Sequence, residues 1–331
     1  MTSLSSLPTA IVVIVAVVLA ALALLLLLAL LTRTLASRVE EALPPAGRFV
    51  DVPGARLHVR EWGLGQPVLL LHGLAGHMAH YSYGVAGKLS DQFRVIAVDR
   101  PGSGYSLRDP GTPADLRTQA KAIVSLMDAL HVPSAFVVGH SLGGALALTL
   151  ALHHPSRVSG LALVAPLTDL PGDVPAAFRA LTIASPWVRK LVAWTLAAPL
   201  TILRGKPVLE QVFGPEAVPA DFATRGGGLM SLRPSQFLAA AADLQALPDA
   251  MPAIVARYGE LRLPVSILYA RGDRILDHKA NGHGFVEKVP HARLRIVDGG
   301  HMLPVTQAEV TAEFIREAAS ALTPGADVRT A

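Results

Sequence analysis

The chain of 331 residues contains no cysteine, and its aromatic and charged side chains are sparse, at 5% and 16% of the residues. The absence of cysteine excludes a thiol nucleophile, a thiolate metal site and disulfide bonds. With 51% hydrophobic residues, the chain is long enough and apolar enough to form a large core without such cross-links.

A concentrated positive charge is also missing. The formal net charge is +4, and the 29 Lys and Arg residues are scattered along the chain. A nucleic-acid surface gathers basic side chains on one face, because it must neutralise a row of phosphates. The sequence therefore predicts no nucleic-acid partner.

Charged and polar residues are absent from Ile11 to Leu31, an unbroken run of Ile, Val, Ala and Leu. As a helix this run is about 30 Å long, which matches the hydrocarbon thickness of a bilayer. It predicts an uncleaved single-pass membrane anchor. A signal peptide is the alternative, but the run is long for one and no Lys or Arg precedes it. Arg33 and Arg38 follow the run, so the positive-inside tendency favours a cytoplasmic location for the rest of the chain.

After a segment from Glu40 to Arg48 that reads as a linker, strand patterns alternate with helix patterns. Strands are predicted at Leu57–Arg60, Pro67–Leu71, Phe93–Val98, Ala135–Val138, Leu161–Val164, Val265–Tyr269 and Leu294–Val297. Such alternation predicts an α/β fold with a mostly parallel, doubly wound sheet and helices on both faces.

The alternation stops between Pro166 and Leu263, where a stretch rich in Ala, Leu and Pro predicts an inserted helical cap. Its larger apolar residues either roof a pocket or pack the cap's own small core: Phe178, Trp187, Trp194, Leu196, Phe213, Phe222, Met230 and Phe237. We expect Gly226 to Gly228 to act as a hinge. The predicted domains are the anchor and its flank (1–40), the first part of the core (41–165), the cap (166–262), the second part of the core (263–322) and a tail (323–331).

Ser141 lies between a predicted strand and a predicted helix, in the stretch from Ala135 to Leu150. Serine on such a sharp turn takes unfavourable backbone torsions, and side chains two residues before or after it would collide with neighbouring backbone. Gly139 and Gly143 avoid these collisions. The pattern predicts that Ser141 is a nucleophile and that the Leu142 amide, at the helix N-terminus, stabilises an oxyanion.

This strand, turn and helix, with its G-x-S-x-G pattern, resembles the nucleophile turn of the α/β-hydrolase fold family. Two further segments are similar to family motifs: Leu71 to Gly76 resembles the H-G-x loop, and Asp99 to Ser106 resembles the D-x-x-G-x-G-x-S turn. The resemblance extends over about Phe49 to Leu322. It implies a second oxyanion donor, the amide of Leu74, and a structural role for His72.

The family's catalytic residues follow the order serine, acid, histidine. The resemblance therefore implies His301 as the base, in the loop after the last predicted strand, and Asp273 as its acid. Asp273 lies in a loop that resembles the family's G-x-x-D segment, although Ala270 replaces the usual glycine. Asp277 and Asp169 remain alternative acids, and Asp169 follows the preceding strand, where some family members place theirs.

These residues predict a membrane-anchored serine hydrolase that cleaves a carboxylic ester, and the anchor and apolar cap favour a lipophilic one. No metal or organic cofactor is expected, the expected partners are the ester and the membrane, and no oligomeric state is predicted. The alternatives are a C–C bond hydrolase or acyltransferase with the same triad, a non-catalytic ligand-binding protein of this fold, and a membrane scaffold.

Overall fold

The computed structural model of the chain describes residues 8–321, and the predicted tail at 323–331 lies outside them. The strands are β1 (Arg48–Val52), β2 (Ala55–Trp62), β3 (Gln66–Leu71), β4 (Phe93–Val98), β5 (Leu107–Arg108), β6 (Ala135–His140), β7 (Val158–Val164), β8 (Val265–Ala270) and β9 (Arg293–Val297).

The α-helices are α1 (Thr9–Ala42), α2 (Ala79–Ser82), α3 (Val85–Leu89), α4 (Leu116–Ala129), α5 (Leu142–His153), α6 (Pro186–Thr195), α7 (Ala197–Phe213), α8 (Pro234–Val255), α9 (Gly284–Lys288), α10 (Leu303–Thr306) and α11 (Ala308–Ser320). Short 3-10 segments cover Pro155–Arg157, Ala176–Leu181, Gly228–Leu232 and Tyr258–Glu260, and a π-helical turn covers Lys279–His283.

The strands form one mixed sheet in the order β1-β2-β4-β3-β6-β7-β8-β9, with β5 paired to β2 at the side. Strands β3, β4 and β6 to β9 run parallel, whereas β1 and β5 pair antiparallel with β2, which itself runs antiparallel to β4. The predicted α/β fold with a mostly parallel sheet is thus confirmed. The sequence missed β1 because the polar segment around Arg48 read as a linker, and β5 because it has only two residues.

Helices cover both faces of this sheet, so alternate residues of each central strand enter different clusters. Leu69 of β3 packs with Ile123 of α4 and Leu146 of α5 on one face. Val68 packs with Ile315 of α11 on the other face. Burial on both faces explains why the central strands read as continuous apolar runs.

The cap is the insertion between β7 and β8, and it contains α6, α7 and α8. Helix α8 packs on α4 and α5 of the core as well as on α6 and α7. Helix α5, apolar on all sides, is therefore enclosed by the sheet, α4 and the cap, and its residues from Leu142 to Leu152 are all buried.

Helix α1 contains the predicted anchor but continues to Ala42, three residues into the segment interpreted as a linker. Its C-terminal end is fixed to the globular part, because Glu40 pairs with Arg233 at 2.8 Å and the carbonyl of Leu43 accepts the Tyr105 hydroxyl. Within residues 8–321, α1 is the one helix long and apolar enough to cross a membrane, judged by length and composition.

Candidate active site

Ser141 lies between β6 and α5 with φ 55° and ψ −122°, torsions that few residues other than glycine adopt. A Cβ atom at Gly139 would lie 2.4 Å from the carbonyl oxygen of Gly143, and one at Gly143 would lie 2.1 Å from that of Leu71. Both positions exclude any side chain, in agreement with the steric argument from the sequence. Ser141 is 7% exposed, so most of it is shielded from solvent.

The amide of Leu142 is available to a ligand at this turn. Leu142 is the first residue of α5, so its N–H group has no acceptor within the helix. The aligned peptide dipoles of the helix also place partial positive charge at this end. A negative oxygen bound to Ser141 would therefore be stabilised here.

The loop after β3 lies against the serine turn, because β3 and β6 are parallel neighbours with Leu71 opposite Gly139. A Cβ atom at Gly73 would lie 2.9 Å from the Cβ of Ser141. Leu74, the predicted second oxyanion donor, therefore follows a residue that is in contact with the nucleophile.

His301 and Asp273 meet at the ends of the adjacent parallel strands β9 and β8. Nδ1 of His301 lies 2.7 Å from Oδ2 of Asp273, and both side chains are buried. The other carboxylate oxygen of Asp273 accepts the amides of Ile275, at 2.8 Å, and Leu276, at 3.0 Å. These contacts fix the orientation of the carboxylate and, through it, that of the imidazole.

Burial alone would raise the pKa of Asp273, but the charge of His301, its hydrogen bond and the two loop amides together lower that pKa below its usual value. Asp273 is therefore ionised near neutral pH. Its carboxylate holds the proton of His301 on Nδ1, which leaves Nε2 available to accept another.

His140 connects this pair to the serine turn. Its Nε2–H group donates to the carbonyl of His301 at 2.9 Å, and the centroids of the two rings are 4.9 Å apart. Burial and the charge of His301 lower the pKa of His140 to about 3, so its ring stays neutral. Because His140 directly precedes Ser141, this contact brings His301 close to the turn that carries Ser141.

Ser141 Oγ and His301 Nε2 are not hydrogen-bonded to each other in this structure, although His301 Nδ1 is bonded to Asp273. Such bonds are often long in free enzymes and shorten when a substrate binds.

The alternative acids are engaged elsewhere. Oδ2 of Asp169 pairs with Nζ of Lys288 at 2.9 Å. Asp277 is largely exposed, and its carboxylate accepts the amide of Lys279 at 2.9 Å. Asp273 is the carboxylate in hydrogen-bond contact with His301.

His72 shapes the loop after β3. Its Nδ1–H group donates to the carbonyl of Gly73, and its Nε2 accepts the amide of Arg100, both at 2.9 Å. Burial and the charge of Arg100 lower the pKa of His72 well below its usual value. A neutral ring with both nitrogens engaged fits the structural role that the resemblance implies.

A buried ion pair joins this loop to the cap, and sequence reasoning missed it. Nε and Nη2 of Arg100 donate to the carbonyls of His72 and Gly73, each at 3.0 Å. Nη1 of Arg100 lies 2.7 Å from Asp243 of α8, and both side chains are fully buried. The signal was a lone aspartate directly after the apolar run Leu238 to Ala242.

Two other cap residues, also missed, hold the loops that carry the predicted catalytic groups. The side-chain amide of Gln236 donates to the carbonyls of Ala75, at 2.9 Å, and Gly76, at 3.0 Å. The carboxylate of Glu216 accepts the amide of Gly300, next to His301, at 3.0 Å. The cap therefore supports both the loop after β3 and the loop that carries His301.

Gly227 has a packing role where the sequence predicted a hinge. Its φ is +74°, and a Cβ atom there would lie 1.9 Å from the ring of His77. The Nε2–H group of His77 donates to the carbonyl of Gly227 at 3.0 Å. The absence of a side chain lets the cap approach the oxyanion loop closely.

The large apolar residues of the cap divide into two groups. Phe213, Phe222, Met230, Phe178 and Phe237 are buried or half-buried. The first two pack with Met302, next to His301, and the last two share a cluster with Leu74.

Trp187, Trp194 and Leu196 are instead exposed, so neither of the two predicted roles, a pocket roof or the cap's own core, fits them.

Within residues 8–321, no group of three or more His, Asp or Glu side chains is arranged to hold a metal ion. That the chemistry needs no metal or organic cofactor stays a prediction.

The family described as alpha/beta hydrolase fold matches residues 66–308 of the chain. Among curated proteins, a 2-hydroxymuconate semialdehyde hydrolase from a Pseudomonas species is 34% identical over 123 residues, which is 37% of this chain and 44% of that protein. The chain spans less than half the length of the curated relatives that it matches.

Solved structures are similar over more of the chain. A thermophilic esterase from Thermogutta terrifontis has a TM-score of 0.66 and 24% identity, and the match covers 83% of this chain and 99% of that one. A membrane phospholipase A has a TM-score of 0.67 and 22% identity, and the match covers 96% of this chain and 100% of that one. At these identities the likeness concerns the fold alone.

Replacing Asp243 with Ala should lower the free energy of unfolding by about 3–5 kcal/mol, because it leaves the buried charge of Arg100 without its partner. Denaturant unfolding of the detergent-solubilised full chain measures the loss. Asp249→Ala, at an exposed position of the same helix, is the matched control. Equal stability of the two variants would contradict the role given to the ion pair.

Stability should also fall in mild acid because of His80. Burial lowers the pKa of His80 well below its usual 6.5, and its Nδ1 has no partner in the described chain. Below about pH 6.5 the unfolded chain binds a proton at residue 80 that the folded chain does not. The free energy of unfolding therefore falls by about 1.4 kcal/mol for each pH unit.

We expect His80→Gln to reduce the slope of the unfolding free energy against pH by about 1.4 kcal/mol per pH unit between pH 6 and 5. The exposed His291→Gln serves as control. Identical slopes for wild type and His80→Gln would refute this assignment.

Proposed function

Because the chain belongs to the α/β-hydrolase fold family, we propose that it is a membrane-anchored serine hydrolase that cleaves a carboxylic ester through an acyl-enzyme. The observation that carries the proposal is the buried pair of His301 and Asp273, 2.7 Å apart beside the strained turn of Ser141. An ordinary serine hydroxyl is a poor nucleophile near neutral pH, and this arrangement is one that activates it.

In the proposed mechanism, Nε2 of His301 takes the proton of Ser141 as Oγ attacks the ester carbonyl. Asp273 stabilises the imidazolium that forms, and the amides of Leu74 and Leu142 donate to the oxyanion. His301 then returns the proton to the leaving alcohol. His301 then takes a proton from water, which attacks the acyl carbonyl, and returns that proton to Oγ of Ser141 as the bond to the acid breaks.

The membrane part of the proposal rests on α1. Its residues from Ala10 to Leu24 are apolar and exposed, which is costly in water and favourable in a bilayer. We propose a single pass with the catalytic domain on the cytoplasmic side, as Arg33 and Arg38 favour. The anchor and the apolar cap support a lipophilic substrate.

A second candidate is hydrolysis of a C–C bond next to a carbonyl, or acyl transfer, by the same residues. The similarity to a 2-hydroxymuconate semialdehyde hydrolase favours the first of these. If the full chain hydrolyses a diketone in preference to p-nitrophenyl esters, C–C bond hydrolysis is favoured over ester hydrolysis.

Replacing Ser141 with Ala should lower turnover of p-nitrophenyl esters by about 10⁴-fold or more. It should also abolish labelling by a fluorophosphonate probe. The reason is that the residue which forms the acyl-enzyme is gone. Ser231→Ala, at an exposed cap position, should keep both activities. Retained turnover in the Ser141 variant would refute the assignment.

Replacing Asp273 with Asn should lower kcat by about 10³- to 10⁴-fold while changing KM little, because the amide no longer holds the required tautomer of His301. Steady-state ester hydrolysis measures the effect. Asp277→Asn, four residues away and exposed, is the matched control. Equal losses in the two variants would point to a different acid.

A further inference from the structure

The cap presents an apolar surface on its outer side, formed by Trp187, Leu191, Trp194, Leu200, Ile202 and Leu203 of α6 and α7. We call this surface the cap face. Trp187 is 83% exposed and Leu203 is 78% exposed, so they are almost as accessible as in an extended chain. Large side chains clustered in this way mark a binding surface, since water solvates them poorly.

The cap face adjoins the apolar helix, because α6 and α7 both pack on α1. Along α1, the shielded positions begin at Leu25 and recur at Leu28, Thr32, Leu35 and Val39, the spacing of one helix face. The apolar run ends at Leu31. The cap contact thus overlaps the last ~9 Å of the run, at 1.5 Å per residue.

This overlap sets the height of the cap relative to a membrane. If Ile11 to Leu31 fills a hydrocarbon layer about 30 Å thick, the element packed beside Leu25 and Leu28 lies level with lipid. The outward side chains of that element then face lipid and not bulk water.

The charge of the same segment matches a lipid surface. From Val174 to Leu209 there is no Asp or Glu, whereas five basic residues occur: Arg179, Arg189, Lys190, Arg204 and Lys206. Basic residues interleaved with Trp and Leu are typical of elements that lie in the interface of an anionic bilayer.

We propose that the cap face is inserted in the interface of the same bilayer that α1 crosses, and that the enzyme takes its ester from that bilayer. The inference rests on the proposed function and specifies its substrate class: a lipid ester dissolved in an anionic membrane. Helix α7 joins the two places, since it begins at the cap face and ends at Phe213, which packs with Met302 beside His301.

The absence of cysteine allows a direct test. Single cysteines at Trp187→Cys and Leu203→Cys are labelled with the fluorophore NBD in the full chain, reconstituted in vesicles of phosphatidylcholine and phosphatidylglycerol. Leu64→Cys is the matched control. Leu64 is 85% exposed and precedes the start of β3, so it lies at the opposite end of the parallel strands from Ser141.

We expect NBD at residues 187 and 203 to show emission shifted to shorter wavelengths than in water, and to be quenched by doxyl groups on lipid acyl chains. NBD at residue 64 should show neither effect. Emission as in water at 187 and 203 would overturn the proposal. So would a blue shift that grows with protein density and resists doxyl quenching, because a second copy of the chain would then cover the cap face.

An activity measurement separates this inference from the proposed function. Leu203→Asp should lower turnover of an ester embedded in vesicles by about tenfold or more, because a charge replaces an inserted apolar side chain. Turnover of a short soluble ester should stay unchanged, and Leu64→Asp should affect neither. Equal loss on both substrates overturns the inference, whereas lipid-quenched labels on a chain without esterase activity refute only the proposed function.

Discussion

Three backbone segments meet around Ser141 at distances that leave no room for side chains. The carbonyl of Leu71 occupies the space that a Cβ at Gly143 would need, and Gly139 is blocked in the same way by Gly143. This close approach brings the end of β3, the serine turn and the start of α5 together. The positions of the nucleophile and of both proposed oxyanion amides follow from it, because the backbone itself forms that part of the site.

The remaining part of the site is held by polar contacts from the cap. Arg100 and Asp243 fix the loop after β3, and Glu216 fixes the loop that carries His301. Each contact lies in a buried or half-buried setting, where an unpaired charge or amide is costly. The cap is therefore a structural component of the site as well as its cover.

The sequence predicts the features that depend on local chemistry. The turn of Ser141 follows from two glycines and their neighbours, and the parallel sheet follows from alternating strand and helix patterns. The prediction of His301 and Asp273 depends on the family's order of serine, acid and histidine along the chain, because nothing local distinguishes these two from other loop residues. The pair of Arg100 and Asp243 could not be predicted, since 143 residues separate the two and neither belongs to a motif for ion pairing. The apolar character of Trp187 and Trp194 predicts an interior position in the cap, but composition does not tell which apolar side chains the fold covers.

Helix α8 meets the core through two polar side chains, Gln236 and Asp243, that are seven residues apart. Seven residues make about two turns, so both side chains leave the helix on the same side, roughly 10 Å apart along its axis. One contact alone would permit rotation about it, but two contacts on one line fix both the rotation and the axial position of the helix. The two contacts therefore hold α8 in one place on the core, and any movement of this helix relative to the core would have to break them.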